Sequence, residues 1–292
     1  MNFEQLKNNR SNTLASLQKK IEESKKKRSY TDERMWKPTA DKAGNVLATI
    51  RFLPNPDDAE NPFVTYKDHF FQTATGQWYA ERCPTSIGLP CPVCDANVEL
   101  WKAGTEEAKK LCRNRGAKKH NICNIYVISD PQNKENEGKV FLYDMGQTIL
   151  KKIADAANTE GRPVEEGEVV FDPFDMWGGA NFKLVGSMDG ALRKYDESKF
   201  LNPAPLLKGD DKALEEVYNK LYSLKEFLDP KNFKTYQELE TRFEAVNQPR
   251  ENNKNKGTVA DETGEMETAA GEGDGSEQSS LEYFKGMDKD GE

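Results

Sequence analysis

The sequence predicts an α+β fold in which a curved or partly closed antiparallel sheet is surrounded by separate helices. Three observations support this prediction. Short segments rich in β-branched and aromatic residues are bounded by Gly, Pro, Asn or Asp, which is typical of strands and turns. Helical patterns are scattered among these segments without the regular alternation of a doubly wound sheet. Both patterns lie within residues 36–248, and the flanking stretches are polar.

The predicted elements follow from local periodicity and turn residues. The predicted strands cover residues 45–54, 63–71, 77–82, 121–129, 138–146 and 180–186. The predicted helices cover residues 94–115, 147–158, 210–228 and 232–246. There is no internal repeat of solenoid period, so these elements predict one core domain over residues 36–248.

Residues 1–35 form a basic arm, with nine Lys or Arg against five acidic residues. Leu14, Leu17 and Ile21 recur at helical spacing and predict a narrow apolar stripe on a polar helix. Such a stripe is too thin to fold alone, but it could dock on a neighbouring surface. It is followed by the densest cationic run in the arm, KKKRS at residues 25–29.

The opposite end of the chain is acidic. Residues 251–292 contain twelve Asp or Glu against four Lys, which equals the net charge of −8 of the whole chain. This segment is low in apolar residues and rich in Gly, Glu and Ser, so we predict that residues 249–292 form a disordered tail. The chain has no apolar run of 18 residues and no leader pattern, so we expect a soluble, intracellular protein without a membrane partner.

A cluster of one histidine and three cysteines is the strongest local motif. His69, Cys83, Cys91 and Cys94 combine a C-x-x-C knuckle with two further ligands, which is the nitrogen and sulfur set that tetrahedral zinc prefers. Four protein ligands leave no open position for a substrate, so the pattern favours one structural zinc ion over a catalytic one. The alternatives are a redox pair, which lacks the usual βαβ context, and unrelated buried cysteines.

The remaining cysteines and the second histidine have no metal spacing. We expect Cys112 and Cys123 to be small buried residues, and His120, in a cationic loop, to face solvent. An enzyme is not predicted, because the sequence contains no nucleophile motif, no phosphate-cradling Gly loop and no base near an open metal position.

Aromatic and cationic residues of the core point to single-stranded nucleic acid, which is bound by aromatic faces and a cationic groove. In GQWYAER, Trp78 and Tyr79 must lie on opposite faces of a strand, so one is core and one is available. The candidate contacts from this reasoning are Tyr79, Trp101, Arg113, Arg115, Lys118 and Lys119. A zinc-stabilised adaptor that binds only proteins is the alternative function, and the acidic tail would suit it.

Several exact strings resemble the helix-destabilising single-stranded DNA-binding proteins of T-even-type bacteriophages. The resemblance covers about residues 36–203. Its strings are IRFLP, CPVC with its histidine, GQWY, ENEGKVF, GANF and YDESKFLN. One difference is that the core basic cluster here is AKKHN, without the hydroxyl residues of the family pattern.

The resemblance implies an OB-fold core with an inserted zinc-binding subdomain, in which His69, Cys83, Cys91 and Cys94 hold the ion. It implies that Tyr143 and Tyr195 stack on bases and that Arg51 contacts phosphate. It further implies that Lys25, Lys26, Lys27, Arg28 and Ser29 serve cooperative self-association, and that the acidic tail binds phage replication and recombination proteins. The expected role is protection of single-stranded DNA in replication, recombination and repair, in the cytoplasm of the infected bacterial host.

Overall fold

The computed structural model describes residues 32–248, except residues 160, 162, 165, 168 and 191. The chain divides into two units, Met1–Met35 and Trp36–Glu292, and each is described by itself. In the first unit, the described residues are 32–35, where the guanidinium of Arg34 pairs with the carboxylate of Asp32 at 2.6 Å.

One antiparallel sheet forms the centre of the second unit. Its described strands are β1 Val46–Leu53, β2 Val64–Gln72, β3 Trp78–Arg82, β4 Lys118–Ser129, β5 Val140–Asp144, β6 Ala180–Asp189, β7 Leu192–Lys194 and β8 Lys199–Pro203. The strand order is β3-β2-β4-β1-β6-β7, with β5 paired to β4 and β8 paired to β6. The predicted α+β class with an antiparallel sheet is therefore confirmed.

Strand β4 organises this sheet because it pairs with three other strands. Its first residues, from Lys118 to Ile122, pair with β2, and its later residues, from Asn124 to Ser129, pair with β1. The middle of β4 pairs with β5. One continuous strand therefore connects the β2–β3 hairpin to the rest of the sheet.

Within residues 32–248, five α-helices surround the sheet: α1 Pro92–Lys102, α2 Glu106–Arg115, α3 Gln147–Ala156, α4 Asp211–Tyr218 and α5 Tyr236–Asn247. The predicted helix over 94–115 is divided into α1 and α2, because Gly104 has a φ of +72° that ends a right-handed helix. The predicted helix over 210–228 is also shorter: α4 ends at Tyr218 and a 3-10 helix spans Lys225–Leu228. None of the helices in the described part of the chain is long and apolar enough to cross a membrane.

Two buried clusters matter for the site. The larger one packs against the sheet and includes Ile50, Phe52, Ile125 and Phe182. The smaller one lies between the β2–β3 hairpin and the helices, and it contains Phe71, Tyr79, Cys83, Cys91, Val93, Leu239 and Val246. The cysteines of the candidate metal site thus belong to this smaller cluster, which contains few other apolar side chains.

The prediction that His120 faces solvent is wrong. Its Nδ1 lies 2.5 Å from Asp144 Oδ2, its Nε2 lies 3.2 Å from Asp68 Oδ2, and its ring stacks on Tyr66 at 4.9 Å between centroids. Burial lowers the pKa of His120, but hydrogen bonds and charge from the two carboxylates outweigh it and raise the pKa to about 10. An imidazolium therefore joins β2, β4 and β5 at neutral pH.

Replacing His120 by Gln should lower the free energy of unfolding by about 2 kcal/mol near pH 6, because the charged ring then no longer bridges two carboxylates. A group whose pKa rises on folding stabilises fully below its unfolded pKa of about 6.5. That contribution is lost as the pH rises through about 10. Urea unfolding of the wild type and His120→Gln at pH 6, 8 and 10 should show the gap closing.

Lys119→Gln, at the next position of β4 on the opposite face, controls for general alkaline titration of the protein. A gap between the wild type and His120→Gln that stays constant across this pH range would contradict the charged bridge.

Candidate metal centre and nucleic-acid interface

The four predicted metal ligands converge from three elements. His69 lies in β2, Cys83 follows β3 directly, and Cys91 and Cys94 lie at the start of α1. Their ligand atoms all lie within 4.8 Å of one another, and three of the four residues are buried. Pro92 occupies the first position of α1. No helical hydrogen bond is lost there, because an N–H at this position has no acceptor within the helix. The helix can therefore begin inside the C-x-x-C knuckle.

The distances suit a tetrahedral ion. Cys83 Sγ lies 3.5 Å from Cys94 Sγ, and the Sγ atoms of Cys91 and Cys94 each lie 3.4 Å from His69 Nε2. Metal–ligand bonds of zinc length at tetrahedral angles place such atoms about 3.6–3.8 Å apart. The set can therefore hold a metal ion, and its one-nitrogen, three-sulfur chemistry fits zinc.

Hydrogen bonds within the cluster shift the pKa values of two of its thiols in opposite directions. Those from Cys91 and Cys94 lower the pKa of Cys83 and favour its thiolate, which is the form that binds metals, and those with Cys83 and Cys91 raise the pKa of Cys94. All five cysteines of the chain are free of disulfide bonds. Cys112 and Cys123 are buried away from this cluster, as predicted.

A backbone carbonyl orients the histidine. His69 Nδ1 lies 2.8 Å from the carbonyl oxygen of Arg115, so with the proton on Nδ1 the ring presents Nε2 to the cysteines. Arg115 is fixed in turn, because its Nη2 donates to Asn247 Oδ1 at 3.0 Å and its guanidinium lies 5.2 Å from the ring centre of Phe243. Arg115 is therefore a support of the metal centre rather than an open cation.

Arg51 was predicted to contact phosphate, and its position contradicts this. The side chain has no exposed surface. Its guanidinium donates to the carbonyl oxygens of Ala204 at 3.1 Å and Asp175 at 2.8 Å. Close packing completes this site, since a Cβ on Gly179 would lie 2.5 Å from the oxygen of Asp175. Arg51 thus joins β1 to the segment before β6. The carbonyl oxygens of that segment require hydrogen-bond donors when they are buried, and the guanidinium supplies them.

The predicted tyrosines are also buried. Tyr79 has no exposed surface and stacks on Phe71 at 5.1 Å between ring centres, which contradicts a base contact in this structure. Tyr143 and Tyr195 lie in the larger core cluster, where Tyr143 meets Trp36 edge to face at 5.5 Å. As these rings lie, neither presents a face on which a base could stack.

The predicted basic run is divided between several surroundings. Arg113 is exposed at the end of α2, and Lys119 is exposed in β4. Lys118 is partly exposed, and its Nζ lies 5.6 Å from the ring centre of Phe70. Trp101 is partly buried, with Lys109 Nζ 5.8 Å from its ring centre. Of these candidates, Lys118 is the one that lies against an exposed aromatic ring.

That ring belongs to an exposed aromatic pair. Phe70 is 41% exposed and Trp78 is 40% exposed, and their rings stack at 4.9 Å with an interplanar angle of 23°. Phe70 was not among the predicted contacts. Strand parity could have found it: if His69 and Phe71 face the metal cluster, Phe70 must face outward. The same register turns Tyr79 inward and Trp78 outward.

We call Phe70, Trp78 and Lys118 the aromatic face. Lys118 and Phe70 share this face because Lys118 pairs with Asp68, and residues two apart on a strand point the same way. Arg82 lies further along it, with its guanidinium 4.8 Å from the ring centre of Tyr66. Two cations and stacked exposed rings are therefore combined on one side of the β3-β2-β4 ladder.

The predicted self-association residues Lys25–Ser29 and the acidic tail lie outside the described residues.

Comparison with known proteins gives a consistent result. The family model described as "gp32 DNA binding protein like" matches residues 44–247, which include all four ligands and the aromatic face. The "Single-stranded DNA-binding protein" of Enterobacteria phage T2 is 36% identical over 238 residues, which are 80% of this chain and 76% of that relative. Its counterpart in Enterobacteria phage T4 is 36% identical over 223 residues, 75% of this chain and 71% of that relative.

Replacing Cys91 by Ser should lower the affinity for a bound metal ion by at least about 100-fold, because a thiolate ligand is lost from a closed set. The melting temperature should fall with it, since the binding free energy of a structural metal site is folding free energy. Elemental analysis after dialysis and a thermal melt measure both effects. Cys112→Ser, at a buried thiol outside the cluster, should keep the metal, and loss of metal in both variants would contradict the assignment.

Proposed function

Because the chain belongs to the gp32 DNA-binding-protein-like family, we propose that it binds single-stranded DNA through the aromatic face. Two relatives that share 36% of their residues with most of this chain are named single-stranded DNA-binding proteins. The observation that carries the proposal within this chain is the exposed, stacked pair of Phe70 and Trp78 beside Lys118.

The chemistry of this face accounts for binding without sequence preference. Every base has a π-face, so a stack on an aromatic side chain does not depend on which base is present. Lys118 supplies positive charge on the same face, where phosphates would pass. Arg82 adds to the positive potential there, although its Nη1 donates to the carbonyl oxygen of Phe227 at 2.8 Å. Asp68 also lies on this face, but its Oδ2 is 3.2 Å from His120 Nε2, so its charge is offset by the imidazolium.

The ion that we assign to His69, Cys83, Cys91 and Cys94 is a single zinc, with a structural role. Its contribution is to tie the β2–β3 hairpin to α1, which holds Trp78 at the start of β3 in register with Phe70. The long β4, shared among β1, β2 and β5, supports a barrel of the OB-fold type as the core. No catalytic role is part of this proposal.

The two polar ends of the chain complete the proposed function. We assign the basic arm, residues 1–35 with Lys25–Ser29, to cooperative self-association on DNA. The tail, residues 249–292, is assigned to binding of phage replication and recombination proteins and to competition with DNA for cationic surface. The protein would then coat and protect single-stranded DNA during replication, recombination and repair in the cytoplasm of the infected host.

Phe70→Ala and Trp78→Ala should each weaken binding to a short oligonucleotide by about tenfold, because one stacked base is worth about 1–3 kcal/mol. The slope of log affinity against log salt should not change, since neither ring carries charge. Fluorescence anisotropy of a labelled oligo-dT at two or more salt concentrations measures both quantities.

Trp177→Ala is the matched control, because Trp177 is 57% exposed but lies before β6, away from the β2–β3 hairpin. Equal losses in all three variants, or none in Phe70→Ala and Trp78→Ala, would contradict the aromatic face as the DNA site.

Deleting residues 250–292 should tighten DNA binding at low salt, because it removes a segment whose net charge is −7, with Arg250 counted. The gain should vanish above about 0.5 M salt, where exposed charges more than a few ångströms apart are screened. Titration of full-length and truncated chains against the same oligonucleotide tests this. An affinity that is unchanged at low salt would exclude competition by the tail.

A further inference from the structure

A groove with a volume of about 560 Å³ runs between α1 and α5, away from the aromatic face. Its floor is apolar and includes Ala96, Val98 and Phe243. Its rim carries four exposed carboxylates, and no Lys, Arg or His is among its lining residues. The rim carboxylates are Asp95 and Glu99 of α1 and Glu240 and Glu244 of α5.

The arrangement of these carboxylates is costly for the isolated chain. Asp95 and Glu99 are four residues apart on α1, and so are Glu240 and Glu244 on α5. Like charges at this spacing destabilise a helix by about 0.2–0.5 kcal/mol per pair. Within the described residues, Tyr236 donates to Asp95 at 3.2 Å and Lys102 pairs with Glu99 at 3.0 Å. Both helices thus place like charges four residues apart on the side that lines the groove. Such unfavourable charge spacing is expected where a surface serves binding.

The charge of the groove disfavours DNA and the acidic tail as ligands and favours the basic arm. Four carboxylates repel DNA phosphates, and they repel the acidic tail in the same way. The basic arm has the opposite charge. Its sequence pattern also fits, because Leu14, Leu17 and Ile21 recur at helical spacing, which predicts a narrow apolar stripe of the kind that docks in a groove between two helices.

We propose that the groove between α1 and α5 binds the basic arm of a second copy of this chain. The inference rests on the proposed self-association and names the surface that it uses. The stripe of residues 14–21 packs on the apolar floor as a third helix, and the cations of residues 25–28 meet the carboxylates of the rim. A helix over residues 12–28 would be about 25 Å long, enough to span the 12-residue α5 at about 18 Å.

The metal centre supports this groove. Cys91 and Cys94 lie at the start of α1, and Phe243 of α5 packs edge to face on Tyr79 at 5.9 Å. The cluster that holds the metal therefore also sets the distance between the two walls. Chain-to-chain binding and DNA binding are then built on the same small core but on different sides of it.

A second groove is larger but less suited to the arm. Its lining includes Asp57, Asp58 and Lys225. Asp57 is already used inside the fold, since its Oδ2 accepts from Ser223 Oγ at 2.6 Å and from the backbone N–H of Leu224 at 2.8 Å. Asp58 is exposed, and its carboxylate accepts from the backbone N–H of Glu60 at 3.0 Å and from Asn61 Nδ2 at 2.8 Å within its own loop. Reversal of its charge therefore has a local effect, which makes it the matched control for the rim of the first groove.

The experiment compares full-length variants for cooperativity, measured as the ratio of affinities for a long single strand and for an oligonucleotide of one site. Glu240→Lys with Glu244→Lys should lower this ratio about tenfold and leave oligonucleotide binding unchanged. Glu240→Gln with Glu244→Gln, which adds no like-charge pair to α5, should lower it by a smaller factor. Combining the Lys pair with Lys26→Glu and Lys27→Glu should restore it. Asp58→Lys should have no effect, and a thermal melt verifies that each variant is folded.

The outcomes separate this inference from the function on which it rests. If Lys26→Glu with Lys27→Glu lowers cooperativity but the groove variants do not, the arm binds elsewhere and the inference is overturned, while self-association stands. If neither set lowers it, self-association itself fails. A loss that the charge swap does not restore would overturn the pairing of arm and groove. A rise in cooperativity in Glu240→Lys with Glu244→Lys would indicate that the arm binds the groove of its own copy. That result would also overturn the inference.

Discussion

The convergence of His69, Cys83, Cys91 and Cys94 is the constraint on which the rest of this end of the molecule depends. The β2–β3 hairpin and helices α1 and α5 share only a small buried cluster, and the cysteines are part of it. Ligand bonds to a metal ion held by these four residues would add to the apolar contacts of this cluster. The hydrogen bond of His69 to the Arg115 carbonyl extends the same restraint to α2.

Two surfaces of opposite character follow from this arrangement. On one side of the β3-β2-β4 ladder, exposed rings lie beside Lys118, which suits bases and phosphates. Between α1 and α5, four carboxylates surround an apolar floor, which suits a basic segment and repels phosphate. Because the two surfaces lie on different sides of the β2–β3 hairpin, the proposed contact with DNA and the proposed contact with a neighbouring copy would not compete.

Part of the charge in this chain stabilises the fold and takes no part in binding. Arg51 is buried among loop carbonyls, and the imidazolium of His120 joins Asp68 to Asp144. Arg115 supports the histidine ligand through its carbonyl and packs its guanidinium against Phe243. A count of cations along the sequence therefore overestimates the surface that can meet phosphate. Buried charges are retained because each is hydrogen-bonded, and removal of one partner would leave the other uncompensated.

The sequence by itself identified the four candidate metal ligands, most of the strand and helix segments of the core and the charge of the two ends. These depend on local properties: ligand type and spacing, periodicity, turn residues and composition. It also required Trp78 and Tyr79 to lie on opposite sides of β3. Only the tertiary structure decided that Trp78 is the outer one, because burial depends on the register with β2 and on what covers each face. For the same reason Arg51 is internal and Phe70 exposed. The groove between α1 and α5 could not be predicted, because its walls are more than 130 residues apart and meet only through packing.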